Sequence, residues 1–421
     1  MSEVAAVITG LGPISAIGCG HEPFWQALVA GQHGFGPITR CDVSCSPSKI
    51  GAEVKNFHLS DHVANGSALK RRLPRAVQLA LAASTLAVQD SGLTAQTVNP
   101  ERIGVCVGTS VGNTSDYLQD RDKWQQARKS YVSPSKAFYL FYHSAACLLS
   151  SFFDFRGPTS TVSTGCNAGL DALGHCLHLV QLGLVDAMLV VGTDCELFPE
   201  ILAVMNASKS LTTRYNDVPG KASRPFDVGR DGNVIGEGAA ALILEAEPHA
   251  RARKATCYAR VAGYAACAAG RNRQYSSHDP EFDLRPCMRS LSGGMNQAGW
   301  QPGDVDLVNA NGSSSVLYDR LEALSLAQVF GEAFPALRLH SIKSMLGQHG
   351  AGSSAMQAVS ACLSIYHGTA PPTINHEQPD QNLGEMRVVT RPENCKPRNV
   401  LVHSIGFGGF YYSCGAFTNF N

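Results

Sequence analysis

Charge is scarce in this sequence. Only 16% of its 421 residues are acidic or basic, and the two signs balance at 34 each. A chain without a net field does not draw nucleic acid or an anionic membrane from a distance, so no nucleic-acid partner is expected. No run of about 18 apolar residues occurs, the length a membrane-crossing helix needs, and no membrane span is expected. The opening residues, MSEVAAVITGLG, lack a basic segment, a long apolar stretch and a small-residue cleavage site. They read as a strand, Val4 to Thr9, ending in a glycine turn, and the expected location is cytoplasmic. No Cys-x-x-Cys occurs among the 14 cysteines. In a cytoplasmic chain these are expected as free thiols, and no metal site is expected. RPFDVGRDGNVIGEG, residues 224 to 238, is rich in glycine and charge. It has neither Gly-x-Gly-x-x-Gly nor phosphate-loop spacing after a strand, which excludes a nucleotide loop.

What is present is apolar and alternating. With 44% apolar residues, the chain can bury a large core, as two or three average domains or one two-part unit. Short β-prone runs alternate with helical patterns, which argues for an α/β fold of parallel sheets covered by helices. The strand candidates are Val4–Thr9, Ile103–Gly108, Ser160–Ser163, Ala187–Gly192, Ala239–Glu245, Leu307–Asn309 and Val400–Ser404. Pro74 to Asp90 reads as a helix, with proline suiting its first turn and Gly92 its stop. Its apolar residues leave little polar face, so it is expected to be buried. A two-fold rhythm runs along the chain. IGVCVGTSVG, STGCNAG and DAMLVVGTDCE in the first half answer VDLVNANGSS, SMLGQHGAG and NVLVHSIGFGG in the second. Two similar halves meeting at one site would produce it, and so would any α/β chain.

TVSTGCNAGLDALGHC, residues 161 to 176, places one cysteine between a β-prone run and a helical pattern. Leu170, Leu173, Leu177 and Val180 recur at helical spacing, and Gly183 supplies a stop. Cys166 therefore sits at a helix start, where unpaired amides and the helix dipole favour a thiolate and lower the thiol pKa. Gly165 and Gly169 permit a sharp turn and close approach of other backbone. Such a strand–turn–helix exposes the nucleophile of other acyl-transfer enzymes, and its amides can donate to an oxyanion. A small buried thiol is the competing reading, and position alone does not decide between them.

Six ordered motifs carry a resemblance: VITGLGPISAIG from Val7, VSTGCNAGLDALGH from Val162, ASRPFDVGRDGNVIGEGAAALILE from Ala222, VNANGSSS from Val308, IKSMLGQHGAG from Ile342 and GFGGF from Gly406. Together they resemble the β-ketoacyl-acyl-carrier-protein synthases, most closely the ketosynthases of bacterial type II polyketide and fatty-acid systems. The resemblance implies a thiolase-like fold, with two duplicated halves (1–255 and 256–421), five layers in αβαβα order, and a dimer. It makes Cys166 the nucleophile that takes an acyl group from the phosphopantetheine arm of an acyl carrier protein. No bound cofactor is expected beyond that arm. The resemblance places a backbone oxyanion donor at Phe407, a supporting lysine at Lys343, and hydroxyls that hold the pantetheine at Ser313 and Ser315. It puts Ile405 at a gating position usually held by phenylalanine. It makes Glu237 and Asp231 backbone braces, and it makes Asp319 and Glu322 braces for Lys343 or the pantetheine loop.

The pattern breaks at two places. The family's two histidines belong where this chain has Asn311 and Gln348. Amides still donate hydrogen bonds but are not acids or bases near neutral pH. His349 is adjacent to Gln348, but one helical residue turns a side chain by about 100°. His403 is the other stand-in to consider, and an ordinary structural histidine is the commoner role for both. The expected chemistry is acyl acceptance on Cys166 with impaired decarboxylative elongation. The alternatives are a non-elongating partner subunit resembling a chain-length factor, against which the retained cysteine counts, and a scaffold with a vestigial thiol. The partner chain would be identical or a second ketosynthase-like chain.

Two further stretches remain open. Lys70, Arg71, Arg72 and Arg75 resemble the family's basic patch for the acidic carrier protein, or are a solvated helix start. Phe138, Tyr139, Phe141 and Tyr142 either shape an acyl pocket or, more commonly for such residues, fill a core.

Overall fold

The computed structural model describes residues 3–70, 73–96, 98–127, 141–270 and 283–420. Ten strands carry the architecture. Five belong to the first half: β1 (Ala6–Ser15), β2 (Ile103–Gly108), β3 (Thr159–Val162), β4 (Ala187–Cys195) and β5 (Ile235–Ala246). Five belong to the second: β6 (Ala259–Ala268), β7 (Leu307–Asn309), β8 (Arg338–His340), β9 (Asn399–Ile405) and β10 (Tyr411–Thr418). The first half runs in the order β3-β2-β4-β5-β1 and the second in the order β8-β7-β9-β10-β6. Position for position, these are the same order. Parallel and antiparallel pairings also match, strand for strand. The sheets join where Ala6–Ile8 of β1 pairs with Ala259–Val261 of β6. The duplication is therefore a property of the fold, not of α/β chains in general.

All seven expected strands form, with two corrections. The sheets are mixed, not parallel: β4–β5, β5–β1, β9–β10 and β10–β6 are antiparallel. Only five residues separate β9 from β10, and so short a connection permits a hairpin, not a crossover. The glycines after Thr9 do not turn the chain, since β1 continues to Ser15. They make room for the helix α1 (Arg75–Ser91). A Cβ on Gly12 would lie 2.0 Å from the Ala83 carbonyl oxygen.

The helices complete five layers. α1 packs on β1, β4 and β5, with α2 (Ser144–Phe153) beside it over β2 and β3. On the far side, α5 (Arg285–Ala298) covers β6 and β10 and packs against α6 (Val316–Phe330). Between the sheets lie α3 (Ala168–Gln181) and α7 (Gly350–His367). The short α4 (Pro199–Ala207) lies between β4 and β5 in the chain. α7 is buried at every position from Gly350 to Ile365, because both of its faces meet protein. The predicted apolar stripe of α3 is buried as well: Leu170, Leu173, Leu177 and Val180 join Met356, Val359 and Leu363 of α7 in one core. The two helices approach closely at Gly169, where a Cβ would fall 2.3 Å from the Ala351 carbonyl oxygen. α1 has its expected stop, with Gly92 in the left-handed conformation, and Pro74 sits at its N-cap.

The aromatic stretch is corrected. Phe138 and Tyr139 lie outside the described residues. Phe141 and Tyr142 are 54% and 48% exposed and do not fill a core, while the helix that follows, α2, buries Ala145, Ala146 and Leu149. The basic cluster is corrected in part. Arg71 and Arg72 lie outside the described residues, and Arg75 turns inward, its Nη2 2.8 Å from Glu237 Oε1. Among the described residues, no helix is long and apolar enough to cross a membrane. No cluster of three or more His, Cys, Asp or Glu among them could hold a metal. The cysteines are unpaired thiols.

Candidate active site

Cys166 lies in a 3-10 turn, Gly165–Asn167, between the end of β3 and the start of α3. Gly165 is left-handed, at φ 70°, a conformation glycine adopts without steric cost. The next residue fixes the turn against the other half of the molecule. Asn167 donates to the Tyr411 carbonyl (3.1 Å) and to Ser413 Oγ (3.2 Å), and it accepts from Ser404 Oγ (2.8 Å). Asp171, one turn into α3, accepts from Tyr264 (2.7 Å), Thr164 and Ser413. The strand–turn–helix is thus local, but its orientation is set by β6, β9 and β10.

The expected lowering of the thiol pKa does not occur. Burial drives Cys166 up to about 11, and the nearby Glu196 charge adds to the effect. The Gln348 side-chain amide, the Phe407 N–H and the Lys343 charge pull the other way without overcoming burial. The sulfur precedes the first α-helical residue by two positions, and the partial charge of a helix end is a weaker effect than full desolvation. Glu196 follows β4. It is buried, accepts an N–H from Gly350 at the start of α7, and has one carboxyl oxygen, Oε2, without a partner. Burial and the neighbouring Asp194 hold its pKa well above the usual carboxylate range.

Asn311 is presented by a braced loop after β7. Its N–H and that of Gly312 donate to the two oxygens of Glu322 (2.7 and 2.8 Å), and the Ser313 N–H donates to Asp319 (2.9 Å). The expected bracing by Asp319 and Glu322 is therefore applied to the loop. Lys343 Nζ donates to the Asn311 carbonyl (2.8 Å), Asn311 Oδ1 (2.9 Å) and Gln357 Oε1 (3.2 Å). The Ile405 N–H also donates to Asn311 Oδ1, at 3.1 Å. With that oxygen doubly occupied, the group Asn311 offers the cavity is its NH2. Burial lowers Lys343 to about 8, against the opposing pull of Glu322.

Gln348 reaches the sulfur from a turn made by Gly347 at φ 70°. Its backbone is pinned to the first half, with its N–H on the Val234 carbonyl and its carbonyl accepting from the Gly236 N–H, both at 2.8 Å. Neither histidine stands in for an imidazole here, since neither lines the cavity. His349 packs against Gly238 and Gly352, and burial holds it near a pKa of about 3. His403 lies behind the Asn311 loop, its Nδ1 2.7 Å from Glu322. Burial opposes its protonation, but Cys287 and Glu322 outweigh that and raise it to about 10.

The cavity is lined by Cys166, Met205, Asn233, Asn311, Ser313, Tyr318, Gln348, Ile405 and Phe407. It leaves about 10 Å³ for a water-sized group, room for roughly one water. Of the two expected pantetheine hydroxyls, Ser313 lines it and Ser315 does not. Ser315 caps α6, accepting from the Tyr318 N–H. Glu237 and Asp231 brace backbone at Val54 and at Thr213 and Arg214, respectively. Asn233, Met205 and Glu196 escaped sequence reading. Asn233 sits inside the Gly- and charge-rich stretch of residues 224 to 238, where a lone amide carries no distinguishing signal.

Comparison with known proteins accords with this architecture. Residues 4–250 match the family model of the β-ketoacyl synthase N-terminal domain, and residues 258–377 match that of the C-terminal domain. The chain is 35% identical over 410 residues to 3-oxoacyl-[acyl-carrier-protein] synthase 2 of Coxiella burnetii, covering 97% of each. It is 34% identical over 426 residues to the tetracenomycin polyketide synthase ketoacyl synthase alpha subunit of Streptomyces glaucescens, covering 97% and 96%. Among solved structures, it superimposes with a TM-score of 0.88 on a type II polyketide ketosynthase in complex with its acyl-carrier protein (27% identity, 99% of each chain). The ishigamide ketosynthase/chain length factor gives the same TM-score at 29% identity over 100% of each chain. With both domain models matched in order and a duplicated thiolase-like fold around one cysteine, the chain belongs to the β-ketoacyl synthase family.

Proposed function

We propose that this chain accepts an acyl group from an acyl carrier protein onto Cys166, in type II polyketide or fatty-acid assembly, and is poor at decarboxylative elongation. The observation that carries this is the set of groups around one sulfur: the Phe407 N–H, the Gln348 amide and the Lys343 charge all favour its anionic form, and the amides of Asn311 and Gln348 line the cavity where the family's two histidines would stand. The transfer balances simply. The Cys166 sulfur attacks the thioester carbonyl of the phosphopantetheine arm, the carbon–sulfur bond to the arm breaks, and the thiol proton ends on the released arm. Burial disfavours the free thiolate, so in this reading the thiol gives up its proton as the thioester binds. The oxyanion is served by the Phe407 N–H with the amide of the cysteine turn.

The roles then divide. Ser313 faces the arm, Lys343 holds Asn311, and the NH2 groups of Asn311 and Gln348 bind carbonyls without moving protons. Loss of acid–base help lowers the rate by roughly 10²–10⁴, which falls on decarboxylation more than on acylation. The working unit is a dimer, with a second copy or a second ketosynthase-like chain. A second reading, a non-elongating partner subunit like a chain-length factor, is favoured by the same amide pair and opposed by the retained cysteine.

Intact-mass measurement after incubation with acyl-loaded carrier protein tests the proposal. A stable adduct that disappears in Cys166→Ala is the expected result. No adduct, together with co-purification of a competent ketosynthase, would replace the first reading with the second.

A further inference from the structure

Three polar atoms at the Cys166 cavity have no hydrogen-bond partner. They are Asn233 Oδ1, Ser313 Oγ and Gln348 Oε1. Their residues are 5%, 5% and 6% exposed, and all three line the same space as the sulfur. They arrive from separate segments: the loop before β5, the loop after β7 and the turn before α7. Buried polar atoms are normally paired. Three that converge on a space of one water's size mark the seat of a polar group on a ligand.

The required chemistry is narrow. Two of the three atoms are amide oxygens, which only accept. The aim of Asn233 is set by its backbone, whose N–H donates to the Ser210 carbonyl (2.7 Å) and whose carbonyl accepts from the Thr212 N–H (2.9 Å). A thioester carbonyl can use the donors here, the Asn311 NH2 and the Phe407 N–H, but has nothing to give the amide oxygens. A saturated acyl chain gives them nothing either. A hydroxyl serves two of the three atoms: its proton goes to one amide oxygen and its oxygen accepts from the Ser313 hydroxyl, leaving the second amide oxygen for an N–H of the pantetheine arm.

We propose that Asn233, with Ser313 and Gln348, selects an acyl group bearing a hydroxyl close to the thioester, which makes Asn233 a specificity-determining residue. This rests on acyl acceptance at Cys166 and names its substrate class. The amide N–H groups of the pantetheine arm offer similar donor chemistry, so the test holds the arm constant.

The full chain is incubated with 3-hydroxybutanoyl-pantetheine or with butanoyl-pantetheine, and Cys166 acylation is followed by intact mass. The hydroxylated thioester is expected to react roughly tenfold faster or more. In Asn233→Leu, and separately in Ser313→Ala, that ratio is expected to fall toward one. Both rates come from the same preparation, so partial misfolding cancels from the ratio. Equal rates in the unsubstituted chain, or a ratio unchanged in both variants, would overturn the selection and assign the three atoms to the arm. An adduct with no preference sinks this inference alone. No adduct from either thioester sinks acyl acceptance and the inference with it.

Discussion

The two halves share a strand order and use it differently. At the same point of the repeat, after the third strand, the first half places Cys166 and the second places Lys343 and Gln348. After the second strand, the first half has Thr109 and Ser110, which donate to Asp194, and the second has Asn311 and Ser313. After or near the end of the fourth, the first half carries Asp194 and Glu196, and the second carries His403 and Phe407. Around the sulfur, the first half places Cys166, Glu196 and the Asn233 amide, and the second places Lys343, the Asn311 and Gln348 amides and the Phe407 N–H. A duplicated scaffold gives paired positions around one site, and its two sides differ because the pairs are unlike.

That division can be tested by changing one side at a time. The largest effect is expected from restoring imidazoles in the second half. Asn311→His with Gln348→His should raise decarboxylation of a malonyl-loaded carrier protein by about 10²-fold or more, measured as carbon dioxide release. No gain would mean that the cavity, not the lost acid–base groups, limits elongation.

Next comes the brace beneath Asn311. His403→Ala leaves the Glu322 carboxylate, 0% exposed, without its cation and should cost about 3–5 kcal/mol, read from urea midpoints. The pH dependence has a definite sign. The folded pKa of His403, about 10, lies above the ordinary histidine value, so the folded state holds more protons between them. Its contribution is complete below about pH 6.5 and is lost as pH rises through about 10. The unsubstituted chain should therefore lose stability over that interval, and His403→Ala should lose less of it.

The smallest effect concerns the first half alone. Iodoacetamide labelling of Cys166, followed by peptide mass, should rise about tenfold per pH unit from neutrality and level near 11. Glu196→Gln should move that midpoint downward, because it removes a charge that opposes the thiolate. A midpoint below 8 in the unsubstituted chain would show that the helix start prevails over burial after all.

Local structure was readable where one segment decides it. The stop of α1 at Gly92, the apolar stripe of α3 and the turn at Gly165 follow from residue types and spacing. What depends on distant chain was not readable. Gly12 signals a turn in one dimension and a helix groove in three. A cysteine at a helix start suggests a low pKa, but desolvation by residues hundreds of positions away decides the sign. Arg75 counted toward a surface patch until Glu237, 162 positions later, drew it inward. At the site, local pattern placed Cys166 at a helix start without deciding its role, resemblance singled it out together with Phe407, Lys343 and Gln348, and Asn233 was not found at all. Nothing in its own neighbourhood says that its side chain enters a cavity.

The hydrogen bonds of Asn167 have one further consequence. The residue beside the reactive sulfur is fastened to the final two strands of the chain. The setting of Cys166 therefore depends on partners 237 and 246 positions beyond Asn167, and a change at Ser404 or Ser413, neither of which lines the cavity, is expected to shift the sulfur.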